Sequence, residues 1–505
     1  HLSQLSTGRG DYRQALAEVD RALRYNASHL PARHLRASIL RRLGQTDAAA
    51  AQCRQVLEQD PLNAYALHEQ EQLGGTAAAA LTKALRDQPE SYLELATKYL
   101  NAGLREEAVS VLRRAAASDV RQLRDYPTLH YYLGYLAHLA GATEAAKSHF
   151  SKARALPTDY CFPYRFESIA VYETALQYDP SDARAHYYLG NLFYDKQPAR
   201  AINHWEHAVQ YEPELAIAHR NLGWGYQQHL GDPQRAIRAY ETAIQHQQQD
   251  PRYYLELDKL YEKQGADLEK RYALLTANHE YVAQRPDALL QEIKVLTLYG
   301  KSEQAIDYLV NHFFPRQEGV DNLHDIYVDA CLAQGLAELE AGRRPQALRY
   351  FEMADEYPAN HQLARNPAYQ RNTQIKYLQA LAQDKKAAAA LFQEVAAMDI
   401  RDPRYQYYQG LALQQLGRET EAAALARSIR TAAEELLQAE ARVDFFSKFG
   451  EGQSEQARQA DGYYLQALSR LLAGEEASAN KGLKKAVQLD PGHLWARLQL
   501  RGVDY

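Results

Sequence analysis

The sequence predicts an all-α chain built as a solenoid of stacked helix pairs, and three observations carry that expectation. Alanines recur seven positions apart, at Ala15 and Ala22, Ala108 and Ala115, Ala146 and Ala153, Ala201 and Ala208, and Ala236 and Ala243. Seven residues make about two helical turns, so each couple marks one face of one helix where a neighbour comes close. Prolines and glycines punctuate the helical segments, and no run alternates apolar with polar residues as a strand does. The segments also repeat: Ala27 to Pro61 spans 34 positions and Leu189 to Leu222 spans 33.

At 505 residues the chain is too long for one ordinary core, which leaves several domains or a repeat array. A hydrophobic fraction of 46% and a charged fraction of 24% suit a soluble globular protein. The net charge of −6 provides no basic stripe for phosphates, so nucleic acid is not an expected partner. No apolar run approaches the roughly 18 residues of a membrane helix, so no membrane partner is expected either. Cys53, Cys161 and Cys331 lie far apart without metal-ligand spacing. They suit buried thiols in a reducing, cytoplasmic setting, with one disulfide left open.

Within one repeat, YYLGNLFYDK (187–196) reads as a first helix and PARAINHWEHAVQYEP (198–213) as a second that ends at proline. Glycines follow other helices at Gly44, Gly103, Gly141, Gly265, Gly300, Gly342, Gly417 and Gly474, where a left-handed helix end suits them. This helix–turn–helix unit, with Leu-Gly, Tyr, Ala and Pro at set offsets, resembles the tetratricopeptide repeat (TPR). The best matches are 30–61, 92–117, 130–155, 185–213, 219–251 and 405–426. The resemblance implies a right-handed superhelix of roughly 14 helix pairs, because one pair cannot bury its apolar stripe alone.

Three regions are expected: N-terminal repeats over 1–160, beginning in a truncated one; central repeats over 161–300; and irregular repeats with a capping helix over 301–505. In the first of these, DYRQALAEVDRALRYNA (11–27) reads as a second helix whose partner is mostly missing from HLSQLSTGRG. Two departures stand out. PTDYCFPYRFESIAVYETALQYDP (157–180) has room for one helix, and DNLHDIYVDACLAQGLAELEAG (321–342) makes an overlong one.

From about 161 onward, CFPYRFESIAVYETAL, HYYLGNLFYDK, HRNLGWGY, RYYLELDKLYEK, HFFPRQEG and YQGLAL follow in order. Together they resemble the C-terminal half of a bacterial family in which a TPR array follows galactose-mutarotase-like β-sandwiches. That family tends to carry Trp-Glu-Gly-Gly where this chain reads PRQEGV (315–320). The resemblance implies that more protein precedes the array and that it works near carbohydrate metabolism.

The chain holds 37 Tyr but 11 Phe. At about 100° per residue, Ala185, Tyr188, Leu189, Leu192 and Phe193 form one apolar stripe. Tyr187, Asn191 and Tyr194 fall on another face. The corresponding trios are Tyr131, Tyr135 and His138 before them, and Arg220, Trp224 and Gln227 after. In TPR proteins these offsets line the concave groove where partners bind, so the nine residues are the expected binding groove. The alternative is that a tight superhelix packs these rings against the next helix.

Other constellations are weaker. Asn191, Asn221 and Arg252 have residue types that suit a TPR carboxylate clamp, but Tyr187 and Glu256 stand where it needs cations. GKS (300–302) lacks the glycine at 295 and the strand of a phosphate loop. His204 and His207 share a helix without a companion ligand, so they read as surface groups beside a packed Trp205. Acid pairs such as Glu106–Glu107 read as helix starts or solvated faces. The sequence calls for no catalytic residue, metal or cofactor. The expected function is a non-catalytic scaffold for a protein, a peptide or another domain of its own chain; the alternative is a carbohydrate-binding or accessory module.

Overall fold

The computed structural model describes residues 1–315, 323–364, 369–439 and 455–501, and among them it contains 30 α-helices and no strand. Local chemistry sets the helix ends. Asp11, Asp182, Asp232, Asp250, Asp384 and Asp402 each accept a backbone N–H of the first turn, filling a donor that the helix leaves empty. Proline opens Pro198–Tyr211, Pro233–His246 and Pro403–Gln415, where no N–H is missed. At the other ends the eight expected glycines all have positive φ, Gly141 at 74° and Gly300 at 90° among them.

The chain forms two compact units, His1–Gly231 and Asp232–Tyr505. In the first, the antiparallel pairs include Leu30–Arg42 with Thr46–Gln59, Pro89–Asn101 with Arg105–Ala116, Pro127–Leu139 with Thr143–Ala155, and Ala183–Phe193 with Pro198–Tyr211. Leu2–Gly8 is a short first helix for Tyr12–Tyr25, held where Ser3 Oγ donates to the Ala15 carbonyl at 2.8 Å. Thus HLSQLSTGRG folds as a partner after all, though a shortened one that leaves Ala22 exposed. Segment 157–180 forms one repeat helix, Glu167–Tyr178, after an extended stretch.

The second unit continues the pairing through Pro286–Tyr299 with Ser302–Asn311, Leu323–Glu340 with Arg344–Met353, Asn372–Ala382 with Lys385–Ala396, Pro403–Gln415 with Glu419–Gln438, and Glu455–Leu472 with Glu476–Leu489. The overlong helix is Leu323–Glu340, at 18 residues. Of the PRQEGV stretch, residues 316–320 lie outside the described residues. One apolar cluster runs from Leu289 to Leu498 through these pairs.

In three of the pairs, closeness depends on a glycine facing an aromatic ring. A Cβ on Gly134 would lie 2.6 Å from the Phe150 ring, and one on Gly190 would overlap the Trp205 indole. Gly335 meets Phe351 in the same way. The alanine couples 108/115, 146/153, 201/208 and 236/243 are fully buried. Gly190→Ala should cost about 1–3 kcal/mol by overpacking, outweighing the up to about 1 kcal/mol that alanine gains over glycine in a helix. Thermal melts followed by circular dichroism should show the loss.

Candidate functional site

The candidate face belongs to the first unit, on the helices Pro127–Leu139, Ala183–Phe193 and Ala216–Gly225. Its centre is Asn191, half-buried one position after the Gly190 socket. Its Oδ1 accepts from Trp205 Nε1 at 3.0 Å and from Asn221 Nδ2 at 2.9 Å, which joins two successive first helices. Tyr194 lies 5.4 Å from the Trp205 ring and edge-on to His229 at 5.1 Å. Burial raises its phenol pKa, and the Trp224 side chain bonds to it. Arg220 sits 6.0 Å from the centre of the Trp224 ring and donates to Asn221 Oδ1 at 3.2 Å. Gln227 follows on a π-turn, Tyr226–Leu230, anchored where the Tyr226 hydroxyl donates to Glu206 at 3.0 Å. Asn191, Tyr194, Arg220, Trp224 and Gln227 are all half-exposed.

The remaining expected residues fall elsewhere. Tyr135 and His138 are half-exposed, and His138 Nδ1 is 3.0 Å from the Tyr178 hydroxyl. Tyr131 and Tyr187 are not open to a ligand, at 0% and 2% exposure. The Tyr131 ring packs against Phe150, Tyr172 and Tyr188, and its hydroxyl donates to buried Asp182 at 3.0 Å. Tyr187 lies against Tyr188 at 5.2 Å, on a helix with Glu167–Tyr178 on one side and Pro198–Tyr211 on the other. A helix wedged between neighbours leaves open a narrower arc than the helical wheel suggests, so this offset goes to packing.

The histidines of NHWEH also join the packing. His186 Nε2 is 3.1 Å from the Pro180 carbonyl and its Nδ1 is 2.9 Å from His204 Nδ1, while its ring stacks on His207 at 5.0 Å. Among the described residues no group of three or more His, Cys, Asp or Glu gathers as a metal site. The clamp residues are engaged too: Asn191 accepts two donors, and in the second unit Arg252 pairs with its own cap, Asp250. Glu107 lies in the first turn of Arg105–Ala116, as a helix start, but it is buried and paired with Arg41 and Arg42, not solvated. Gly300 closes a helix and Ser302 opens the next, as a helix–helix turn requires.

Two features escaped the sequence reading. Tyr160, Phe162, Tyr164 and Phe166 are exposed by 84%, 60%, 62% and 74%. Cys161 between them is buried. An aromatic at every second position of DYCFPYRF is the available signal, and it is masked because 157–180 reads as a helix with an irregular approach. The second lies in the second unit, where Trp495 and Arg501 reach Asp329 and Leu298 far back in the chain.

Tyr187→Ala should cost about 3–5 kcal/mol, as Tyr188→Ala should, whereas Tyr194→Ala should stay near 0.5 kcal/mol; paired melts separate them. Burial lowers the pKa of His186, and that of His204 to about 4. An unfolded histidine titrates near 6.5, so between these values the unfolded chain binds more protons and stability falls as pH drops from about 6.5 to about 4. Protection factors in Ala183–Phe193, which correct for the slower intrinsic exchange at low pH, should fall over that window, and His204→Gln should weaken the dependence.

A tetratricopeptide-repeat model matches residues 8–64, 93–160 and 378–435, and a second TPR model matches 167–197. Solved structures similar to the chain include YrrB, described as a TPR protein with an unusual peptide-binding site, at 16% identity over 38% of this chain and 94% of that one, with a TM-score of 0.29. Pseudomonas aeruginosa PilF matches at 21% identity over 44% and 88%, with a TM-score of 0.26. A TPR protein from Parabacteroides merdae matches at 15% over 59% and 99%, also with 0.26. Superpositions this loose carry nothing about binding. The repeat models and the helix pairs agree, and the chain is a carrier of tetratricopeptide repeats.

Proposed function

We propose that the chain is a non-catalytic scaffold that holds a protein or peptide on the first unit's face around Asn191. The observation that carries this reading is the joined, half-exposed cluster of Asn191, Tyr194, Arg220, Trp224 and Gln227. Tyrosine, tryptophan and arginine are the side chains on which binding energy concentrates, since they combine large rigid area with a polar handle. Catalysis has little support. The three thiols are buried, and burial pushes Cys53 and Cys331 up to about 12, far from a reactive thiolate.

A second occupant fits the same chemistry: a sugar ring stacked on Tyr194 or Trp224 with the Asn191 amide beside it. Trp224→Ala should weaken capture of the protein partner by tenfold or more, about 1.4 kcal/mol or above, while leaving the melting temperature within a few degrees. The comparison is a quantitative pull-down with mass spectrometry against a glycan array. Saturable glycan binding that Trp224→Ala abolishes, with no protein captured, would overturn the scaffold reading in favour of the second.

A further inference from the structure

The helix Leu494–Leu500 is the last described in the second unit. An ordinary capping helix touches the pair before it, and this one does pack on Glu476–Leu489. It also reaches much further back. Trp495 Nε1 donates to Asp329 Oδ1 at 2.7 Å, across 166 positions. The same carboxylate pairs with Arg371, 4% exposed, whose guanidinium lies 5.5 Å from the Trp495 ring. Arg501 Nη2 reaches the Leu298 carbonyl at 3.5 Å, across 203 positions. The Pro491–Gly492 turn rests against Gly265 and Glu262. His493 is 3.4 Å from Asp461 and its ring 4.5 Å from that of Tyr464. Residues 490–501 therefore touch the first helices Pro251–Lys263, Pro286–Tyr299, Leu323–Glu340 and Glu455–Leu472, together with Arg371 at the start of Asn372–Ala382. They lie along the face that those first helices share.

We propose that this inner face is a helix-binding site held shut by the chain's own residues 490–501. The partner it fits is a short helix bearing a tryptophan whose indole N–H reaches Asp329 beside Arg371. This does not rest on the first-unit face proposed above. Two physical points support a displaceable occupant. A seven-residue helix is far below the roughly 12–15 residues at which an isolated helix holds together in water, so it exists only by docking. Docked elements with little stability of their own open locally without global unfolding. The segment follows Leu489 directly, so its effective concentration at the face is on the order of millimolar, and a free competitor is suppressed accordingly.

The test uses a fluorescent peptide of residues 490–501, titrated by anisotropy into the full chain and into a chain ending at Leu489. The shortened chain should bind about 100-fold more tightly than the full chain, and a peptide carrying Trp495→Ala at least tenfold more weakly. A folded shortened chain that fails to bind would overturn the proposal. So would a shortened chain without a cooperative melt, because the segment is then permanent core and not an occupant. In the full chain, amides of 494–500 should exchange faster than those of Leu323–Glu340, and Trp495→Ala should admit the peptide. Equal protection across both helices would sink the idea as well.

Discussion

Three of the helix pairs depend on one contact: a large ring of the second helix seated on a glycine of the first. Gly134 with Phe150, Gly190 with Trp205 and Gly335 with Phe351 are versions of it in both units. Without a Cβ the two helix axes come close enough for the buried alanines to mesh, and the paired helices then present one combined apolar flank to the next pair. At Gly190 the same contact reaches into the candidate face. It brings the Trp205 indole to Asn191, which passes the connection to Asn221 on the following helix. Packing and site geometry share a single hinge of chemistry there.

The excess of tyrosine over phenylalanine has a structural explanation in this arrangement. Buried hydroxyls usually take a partner, and four of these tyrosines find one at another helix or its cap: Tyr99 on Glu69, Tyr131 on Asp182, Tyr132 on Ser168 and Tyr172 on Thr128. Phenylalanine would fill the same volume without tying one helix to another. The tyrosines thus add directional links to contacts that are otherwise only close-packed, and such links select one stacking among many similar ones.

The pairing of helices was legible because its signals are local: alanine spacing, capping aspartates, opening prolines and closing glycines all act within a few residues. Which side of a first helix faces open space is not local. Tyr188 lies in the core as its stripe demands, but Tyr187 is buried too, because neighbours on both flanks narrow the open arc. Tyr131 shows the same limit, since Asp182 and Tyr172 reach it from 51 and 41 positions away. Likewise nothing near Trp495 in sequence announces Asp329. Periodicity describes one helix and its nearest partners, and it is silent about chain that returns after several repeats.

That return alters how the second unit can assemble. A stacked array ordinarily has contacts only between neighbours, so its folding can start anywhere and spread pair by pair. Joining Trp495 to Asp329 and Arg501 to Leu298 closes a circuit that must wait until all intervening pairs are in place. Such distant contacts raise the contact order and slow the final step of folding. They also tie early and late helices of the stack together for as long as the segment stays docked. With it docked the second unit has the connectivity of a closed hoop; with it released, that of the zipper that a simple row of repeats has.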